Sequence, residues 1–502
     1  MQNTLINFWS NKLYMILQWI FKNKLLVILF ALSTTFFVYQ HFVNFSWDFA
    51  TYEDNARYWA GQGSYYEPGR PPLVPFLLML VGGEYLFIVL SSMLFLYATI
   101  KLADAMKLRR EVFYLLLLSP FVLFFGLING TELLSLALLE MFLAFIGKRY
   151  SGIFLGIACL ARYNFVIFAP LLLADRNPKK VVLNILFFIL PFLPWFLYNF
   201  YLTGNAFTSL ADSYAINVKF RYYFTQPFSY VHLATAITFL LPVFAYGLFR
   251  TLKSMHFKRL ENEKYNILML AIMVLSVYLY SSTFSKELRY LFPLALPVAY
   301  FSYKGFDLLR KKPKIFLLTI IVALNLVLFA SMNISANYES KNKYADAINV
   351  LRTNGIENCR LMTNAWPLTN YLDMPSEPFP RKELVQQSID EGNFILFFYS
   401  IGDPEWGQNK TFLEQYKTVY KNREFIILGN ASRCISQEKI NQTYLSMLHN
   451  KIFLVYNVSI NTNPCFVMFS GNSFLESSCS LVNLKGFVTD ENRITGLELV
   501  RD

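Results

Sequence analysis

A carboxylate, a set of aromatic rings and a basic-Pro-Pro turn share one polar stretch of the chain, from Trp47 to Leu73. Asp48, Tyr52 and Ala56 recur at every fourth position, so a helix there would carry the carboxylate and the phenol on one face. Arg57 follows, the chain turns at Gly61 and Gly63, and an apolar run resumes behind Arg70, Pro71 and Pro72. Such residues suit two tasks. A carboxylate can take a proton from a hydroxyl, and an arginine grips phosphate through its planar fork better than a lysine does. Plainer roles fit the same residues. Asp is a favoured N-cap, so Asp48 could begin a helix at Phe49. Glu53 and Asp54 read as the solvated face of that helix, and an Arg beside an apolar span also serves as a snorkelling anchor.

The elements that must position this stretch are membrane spans. The chain has 502 residues, 55% of them hydrophobic and 18% aromatic, with a mean hydropathy of +0.37. Soluble domains of ordinary composition do not look like this. Apolar runs long enough to span lie near 25–43, 84–103, 112–128, 131–147, 181–203, 231–250, 265–283, 288–304 and 314–332. From Tyr338 onward, 16 Lys and Arg stand against 18 Asp and Glu; the remainder holds 29 against 15. Its basic residues cluster beside the spans (Lys107, Arg109 and Arg110; Lys148 and Arg149; Lys258 and Arg259; Arg310 to Lys312). That placement marks cytoplasmic loops and excludes a nucleic-acid face.

Basic loops at both ends of 150–174 put both ends on the cytoplasmic side, which one span cannot satisfy. Two half-spans broken at Ala161–Arg162–Tyr163–Asn164 can, because a charged Arg at membrane depth must face protein or water. The count then becomes about eleven segments, and the last third lies outside. That third carries sequons at Asn409, Asn430, Asn441 and Asn457 and four of the five cysteines. Cys359, Cys434, Cys465 and Cys479 permit two disulfides in any of three pairings, as an exported domain would allow. Its periodicity reads as helix at Tyr344–Leu351 and Phe412–Tyr420, with short apolar runs at 360–363, 394–399 and 425–428. The expected organisation is a transmembrane domain over 1–335, its first outer loop at about 44–71, and an extracytoplasmic α/β domain over 336–502.

With that loop placed outside, the ordered motifs resemble the GT-C superfamily of polyprenyl-phosphate-sugar glycosyltransferases. The branch they resemble contains the protein O-mannosyltransferases and bacterial aminoarabinose transferases. The resemblance rests on Asp48, Tyr52, Ala56 and Arg57 followed by Arg70 to Leu73, then Thr131–Glu132–Leu133, Gly152 and Gly156 before Ala161–Arg162–Tyr163, Pro191 and Pro194–Trp195 with Asn199 and Gly204, and Glu287, Arg289 and Tyr290 with Pro293 and Pro297. It covers about the first 300 residues. It implies a multi-span GT-C fold that moves a sugar from a dolichyl- or undecaprenyl-phosphate donor to an extracytoplasmic protein, lipid or glycan. Asp48 would be the general base and Arg289 the phosphate-binding cation. Arg70, Arg162, Tyr52, Arg57, Glu132 and Tyr290 would complete the substrate site.

The chain also departs from that pattern. Phe49 stands where many relatives have Glu after the aspartate, and Gly69 stands where the aminoarabinose branch has an acidic metal ligand, with Glu67 near but unaligned. The resemblance therefore carries no certain cofactor. A divalent metal would need His41 or His232 with further partners, and a lone His beside a span is usually structural. The Trp-Trp-Asp signature of oligosaccharyltransferases is absent, which argues against en bloc transfer to Asn. Two other classes remain: a transporter or flippase, which would need polar broken helices near the midplane, and a non-catalytic membrane subunit. The first has only the Arg162 segment in its favour, and the second leaves Asp48, Arg70 and Arg289 unexplained.

Overall fold

The structure is a computed structural model. It describes residue 18 and residues 21–436 except 64, 68, 176, 215–225, 256–262, 284–285, 337, 381 and 402–404, and then the backbone of five strands between 453 and 500. The chain divides into two compact units. One comprises Met1–Ser46, Pro71–Leu210 and Thr225–Tyr338; the other comprises Trp47–Arg70, Ala211–Phe224 and Glu339–Asp502.

The first unit is helical. Six of its described helices are long and apolar enough to cross a membrane: Lys24–Val43, Glu84–Ala105, Pro178–Leu202, Tyr230–Ser254, Lys264–Ser282 and Lys311–Ser335. The other expected spans appear as shorter pieces, and proline explains the breaks. The run at 112–128 is two helices, Arg110–Leu117 and Pro120–Phe125, because Pro120 has no N–H to continue the ladder and Ser119 caps the restart. The run at 288–304 begins as a 3-10 turn, Leu288–Leu294, containing Pro293, before the helix Ala295–Asp307.

The helix Glu132–Ala144 is buried from Glu132 to Leu143 on every side, as an all-round apolar helix at the centre of a bundle must be. Lys311–Ser335 is its opposite, with Ile321 as the buried residue, which suits a helix facing hydrocarbon. Segment 150–174 is the helix Gly152–Ala161 and the 3-10 helix Tyr163–Ala174, with Arg162 extended between them. At about 1.5 and 2.0 Å per residue, neither piece alone crosses a hydrocarbon core of about 30 Å.

Glycines set two close helix crossings. A Cβ on Gly152 would stand 2.0 Å from the Asn184 carbonyl oxygen, and one on Gly156 would stand 2.3 Å from that of Phe188. Gly247 and Gly305 face each other's helices in the same way, with a Cβ on Gly247 meeting the Phe301 oxygen at 1.9 Å. Small residues at membrane helix crossings permit this approach.

The second unit joins the helix Trp47–Trp59 to an α/β domain. Five strands, β1 (Leu361–Thr363), β2 (Glu377–Pro378), β3 (Phe394–Phe398), β4 (Thr418–Lys421) and β5 (Phe425–Leu428), form a sheet in the order β2-β1-β3-β5-β4. β1 is parallel to β2 and β3, and β5 is antiparallel to β3 and β4. Each β3 and β5 residue is buried, because Val385, Ile389 and Leu413 join the core with Ile395, Phe397, Ile426 and Leu428.

The expected helix at 412–420 is shorter: Lys410–Glu414 is helical, and Thr418–Val419–Tyr420 joins the sheet, as its β-branched and aromatic side chains favour. Cys359 and Cys434 form a disulfide closing a separation of 75 residues. Beyond it lie two antiparallel groups: β6 (Phe453–Ile460), β7 (Asn463–Ser470) and β8 (Ser473–Ser477), then β9 (Asn483–Val488) and β10 (Ile494–Val500). The side chains of Cys465 and of the Asn457 sequon, together with Cys479 and the sequon at Asn441, lie outside the described residues.

Candidate active site

The helix around Asp48 begins at Trp47, one residue before the carboxylate, so Asp48 sits in the first turn rather than at the N-cap. Its charge still suits the positive end of the helix. The turn that follows brings Arg70 back to it. Arg70 Nη1 donates to Asp48 Oδ1 at 2.7 Å and Nε donates to Glu67 Oε1 at 3.1 Å, so one guanidinium holds two carboxylates. The Tyr52 ring lies 5.7 Å from the same guanidinium. Asp48 and Arg70 each keep about a fifth of their side-chain surface exposed. Burial alone would lower the Arg70 pKa, but Glu67 and Asp48 outweigh it and hold the group above its ordinary value.

Glu67 is itself clamped. The Asn55 side-chain amide donates to the Glu67 carbonyl at 3.0 Å and accepts from its N–H at 2.7 Å. Tyr65 O–H donates to Glu67 Oε2 at 3.4 Å, and Trp366 Nε1 donates to the Tyr65 oxygen at 3.0 Å. Trp366 also meets Trp47 edge to face, with ring centroids 4.8 Å apart. Asp48, Tyr52 and Arg70 are thus brought together, with Glu67, Asn55, Tyr65 and Trp366 behind them.

Arg57 points elsewhere within this unit. It donates to the Tyr371 carbonyl at 2.7 Å, stacks over the Tyr371 ring at 4.7 Å and reaches Asp373 at 3.4 Å. The reading of Glu53 and Asp54 as a solvated face is corrected. Asp54 is 3% exposed, and the Glu53 side chain is 15% exposed, because the segment around Tyr371 and Asp373 covers that side of the helix.

The first unit holds a second charged group. Arg162 Nη1 approaches Glu132 Oε1 to 2.8 Å at an angle outside hydrogen-bond geometry. Thr131 Oγ1 donates to Glu132 Oε2 at 3.0 Å. The Tyr290 ring lies 5.5 Å from the Arg162 guanidinium, and Glu132 is fully buried. Tyr163 O–H pairs with Ser209 Oγ at 2.7 Å and accepts from Trp195 Nε1 at 2.8 Å. Arg162, Glu132 and Tyr290, far apart in sequence, therefore converge. Arg289 Nε donates to Glu287 Oε2 at 2.5 Å.

Both candidate histidines have ordinary partners: the His41 ring contacts the Leu127 carbonyl at 2.5 Å, and the His232 ring contacts Tyr280 O–H at 2.8 Å. Among the described residues, no three His, Cys, Asp or Glu side chains group to hold a metal.

Sequence reasoning passed over Glu67 as a partner for Arg70, although the spacing of three was a signal. It had no signal for Trp366 or Tyr371, which lie some 300 residues from their partners.

Solved structures share this fold of a helical bundle with a small mixed-sheet domain. ArnT from Cupriavidus metallidurans bound to undecaprenyl phosphate matches with a TM-score of 0.52 at 12% identity, over 80% of this chain and 97% of that one. Its apo state matches with 0.52 at 13% identity, over 82% and 99%. The Archaeoglobus fulgidus oligosaccharyltransferase tethered to an acceptor peptide matches with 0.52 at 12% identity, over 88% and 80%. No family model and no curated protein matches the sequence.

Proposed function

We infer that the chain is a membrane glycosyltransferase that moves one sugar from a polyprenyl-phosphate donor to an extracytoplasmic acceptor. The observation that carries this is the Asp48 carboxylate held at 2.7 Å by Arg70 in a chain of GT-C fold. In the proposed step, Asp48 takes the proton of an acceptor hydroxyl as its oxygen bonds to the anomeric carbon. The bond from that carbon to the phosphate oxygen breaks, and its electron pair leaves with polyprenyl phosphate. A carboxylate beside the oxocarbenium-like transition state also stabilises its charge.

Arg70, already shared by two carboxylates, keeps Asp48 oriented. The fixed charge on the phosphate is assigned to Arg289, as the family resemblance implies, with Arg162, Glu132 and Tyr290 assigned to substrate binding. Ligand knowledge from the neighbours is consistent: one ArnT structure holds undecaprenyl phosphate, and the oligosaccharyltransferase holds an acceptor peptide. The Cys359–Cys434 disulfide and the sequons at Asn409 and Asn430 support an extracytoplasmic second unit.

The test compares wild type with Asp48→Asn in detergent, using radiolabelled polyprenyl-phosphate sugars and a membrane extract as acceptor source. Loss of transfer by about 10² or more, with donor binding retained, supports the assignment. Transfer that survives in Asp48→Asn moves the base elsewhere. The transporter reading draws on one feature, the helix break at Arg162 with its buried ion pair. A folded wild type that binds donor and turns over none of it would favour that reading.

A further inference from the structure

The second unit contains a cavity of 140 Å³ between the first-loop helix, its following turn, and the segment 370–375. A water-sized probe sphere takes about 10–15 Å³, so the space holds on the order of ten such positions, enough for one small polar molecule. Asp54, Arg57, Gln62, Tyr65, Asn370 and Asp373 contribute to its wall.

Asp54 is the unusual member. It is 3% exposed, and its Oδ2 is buried without a hydrogen-bond partner. Buried carboxylate oxygens are ordinarily satisfied, and one left open costs its full desolvation. The nearest cation does not discharge that cost, because Arg57 donates to the Tyr371 carbonyl and to Asp373 instead. A ligand in the cavity would.

The wall also restricts which ligand. Asp373 lines it, and Glu53 and Glu67 add negative charge nearby. An anion such as phosphate is therefore repelled. Arg57 in the same wall opposes an ammonium group. Burial, only partly offset by Arg57, pushes the Asp54 carboxyl well above its usual range, which lets it both donate and accept. Together with side-chain amides and a phenol, this wall suits neutral hydroxyls.

We propose that the Asp54 cavity binds a neutral, hydroxyl-rich sugar unit of the acceptor, so that the acceptor is a glycan. Its assignment to the acceptor rests on the glycosyltransferase reading above; the sugar site itself does not. Asp54 lies six residues after Asp48 on one helix, about 9 Å along its axis. At 3.6 residues per turn the two side chains also project about 120° apart around the helix, so a sugar held at Asp54 is a unit of the acceptor away from the reacting hydroxyl.

The full chain in detergent is titrated with the methyl glycosides of mannose, glucose and galactose, with glucosamine and with inorganic phosphate. Binding is read by calorimetry and by tryptophan fluorescence, for which Trp366, bonded to Tyr65, is the reporter. Expected is saturable binding of at least one neutral glycoside, weakened at least tenfold by Asp54→Leu, which keeps the volume and removes both the donor and the acceptor, and abolished by Gln62→Trp, which fills the cavity from an exposed position. Both variants should keep the wild-type melting temperature or exceed it, and Asp48→Asn should keep the sugar binding.

Absence of neutral-glycoside binding, preference for glucosamine or phosphate, or affinity unchanged in both cavity variants overturns the proposal. Asp54-dependent sugar binding in a chain that transfers no sugar would sink the glycosyltransferase reading and leave the cavity assignment standing. Sugar transfer with an acceptor KM unaltered by both cavity variants would do the reverse.

Discussion

At the scale of residues, one guanidinium decides how Asp48 behaves. Arg70 spends one nitrogen on Asp48 and another on Glu67, a division that a lysine cannot reproduce with a single ammonium. Arg70→Lys is therefore expected to lower turnover by about 10², the effect of a misplaced reactive group, with donor affinity little changed; steady-state kinetics checks this.

Asp54 gives a second expectation, with its sign fixed by linkage. Its folded-state pKa is raised, so the folded protein holds the proton above the unfolded value of about 4. Stability contributed by that group is complete below this value and is lost as pH rises towards the folded pKa. The melting temperature of Asp54→Asn should accordingly gain on wild type as pH rises above about 4, and a flat difference would contradict the burial of an unpartnered carboxylate.

The residue types at Asp48, Tyr52 and Arg70 were legible because they lie within one loop. The burial of Asp54 was not, since the cover comes from Tyr371 and Asp373 and no local pattern announces it.

At the scale of elements, close backbone approach governs the bundle. A methyl group on Gly247 would overlap the Phe301 carbonyl oxygen, so Gly247→Ala must push two helices apart. A loss of about 1–3 kcal/mol is expected, as for other overpacked sites, read as a lower melting temperature. The mirrored substitution Gly305→Ala, whose Cβ would lie 2.3 Å from the Val243 oxygen, should act the same way. Gly83, where a Cβ has nothing within 4 Å, is the control.

The spans themselves could be read from apolar run length, and the break at Arg162 from charge and parity. Other interruptions followed from Pro120 and Pro293, where a residue without an N–H ends one helix and opens the next. What run length could not show is that Thr418–Lys421 would leave a helical pattern for an edge of the sheet. Pairing with β5 overrides the local preference there.

At the scale of the molecule, the compact units do not follow the linear order of the chain. Residues 47–70 belong with 339–502, and Trp366 is the fastener, touching Trp47 beside Asp48 and Tyr65 behind Glu67. Trp366→Ala is expected to reduce turnover while leaving membrane insertion intact, measured as transfer activity per unit of protein extracted from membranes. An unaltered rate would show that the first loop holds its shape without this contact. No linear cut of the chain isolates the Asp48 group from its support.

The same fastening has a consequence in time. Tyr65 and Trp366 are 301 residues apart, and ribosomes add about 5–20 residues per second. The first loop must then wait on the order of 15–60 s after its own synthesis before its partner exists. Its aromatic and charged side chains stand uncovered through that interval. The candidate site is thus among the last parts of the protein to be assembled, and a chain interrupted late in translation would carry every candidate residue of the first loop and still lack the contacts that shape it.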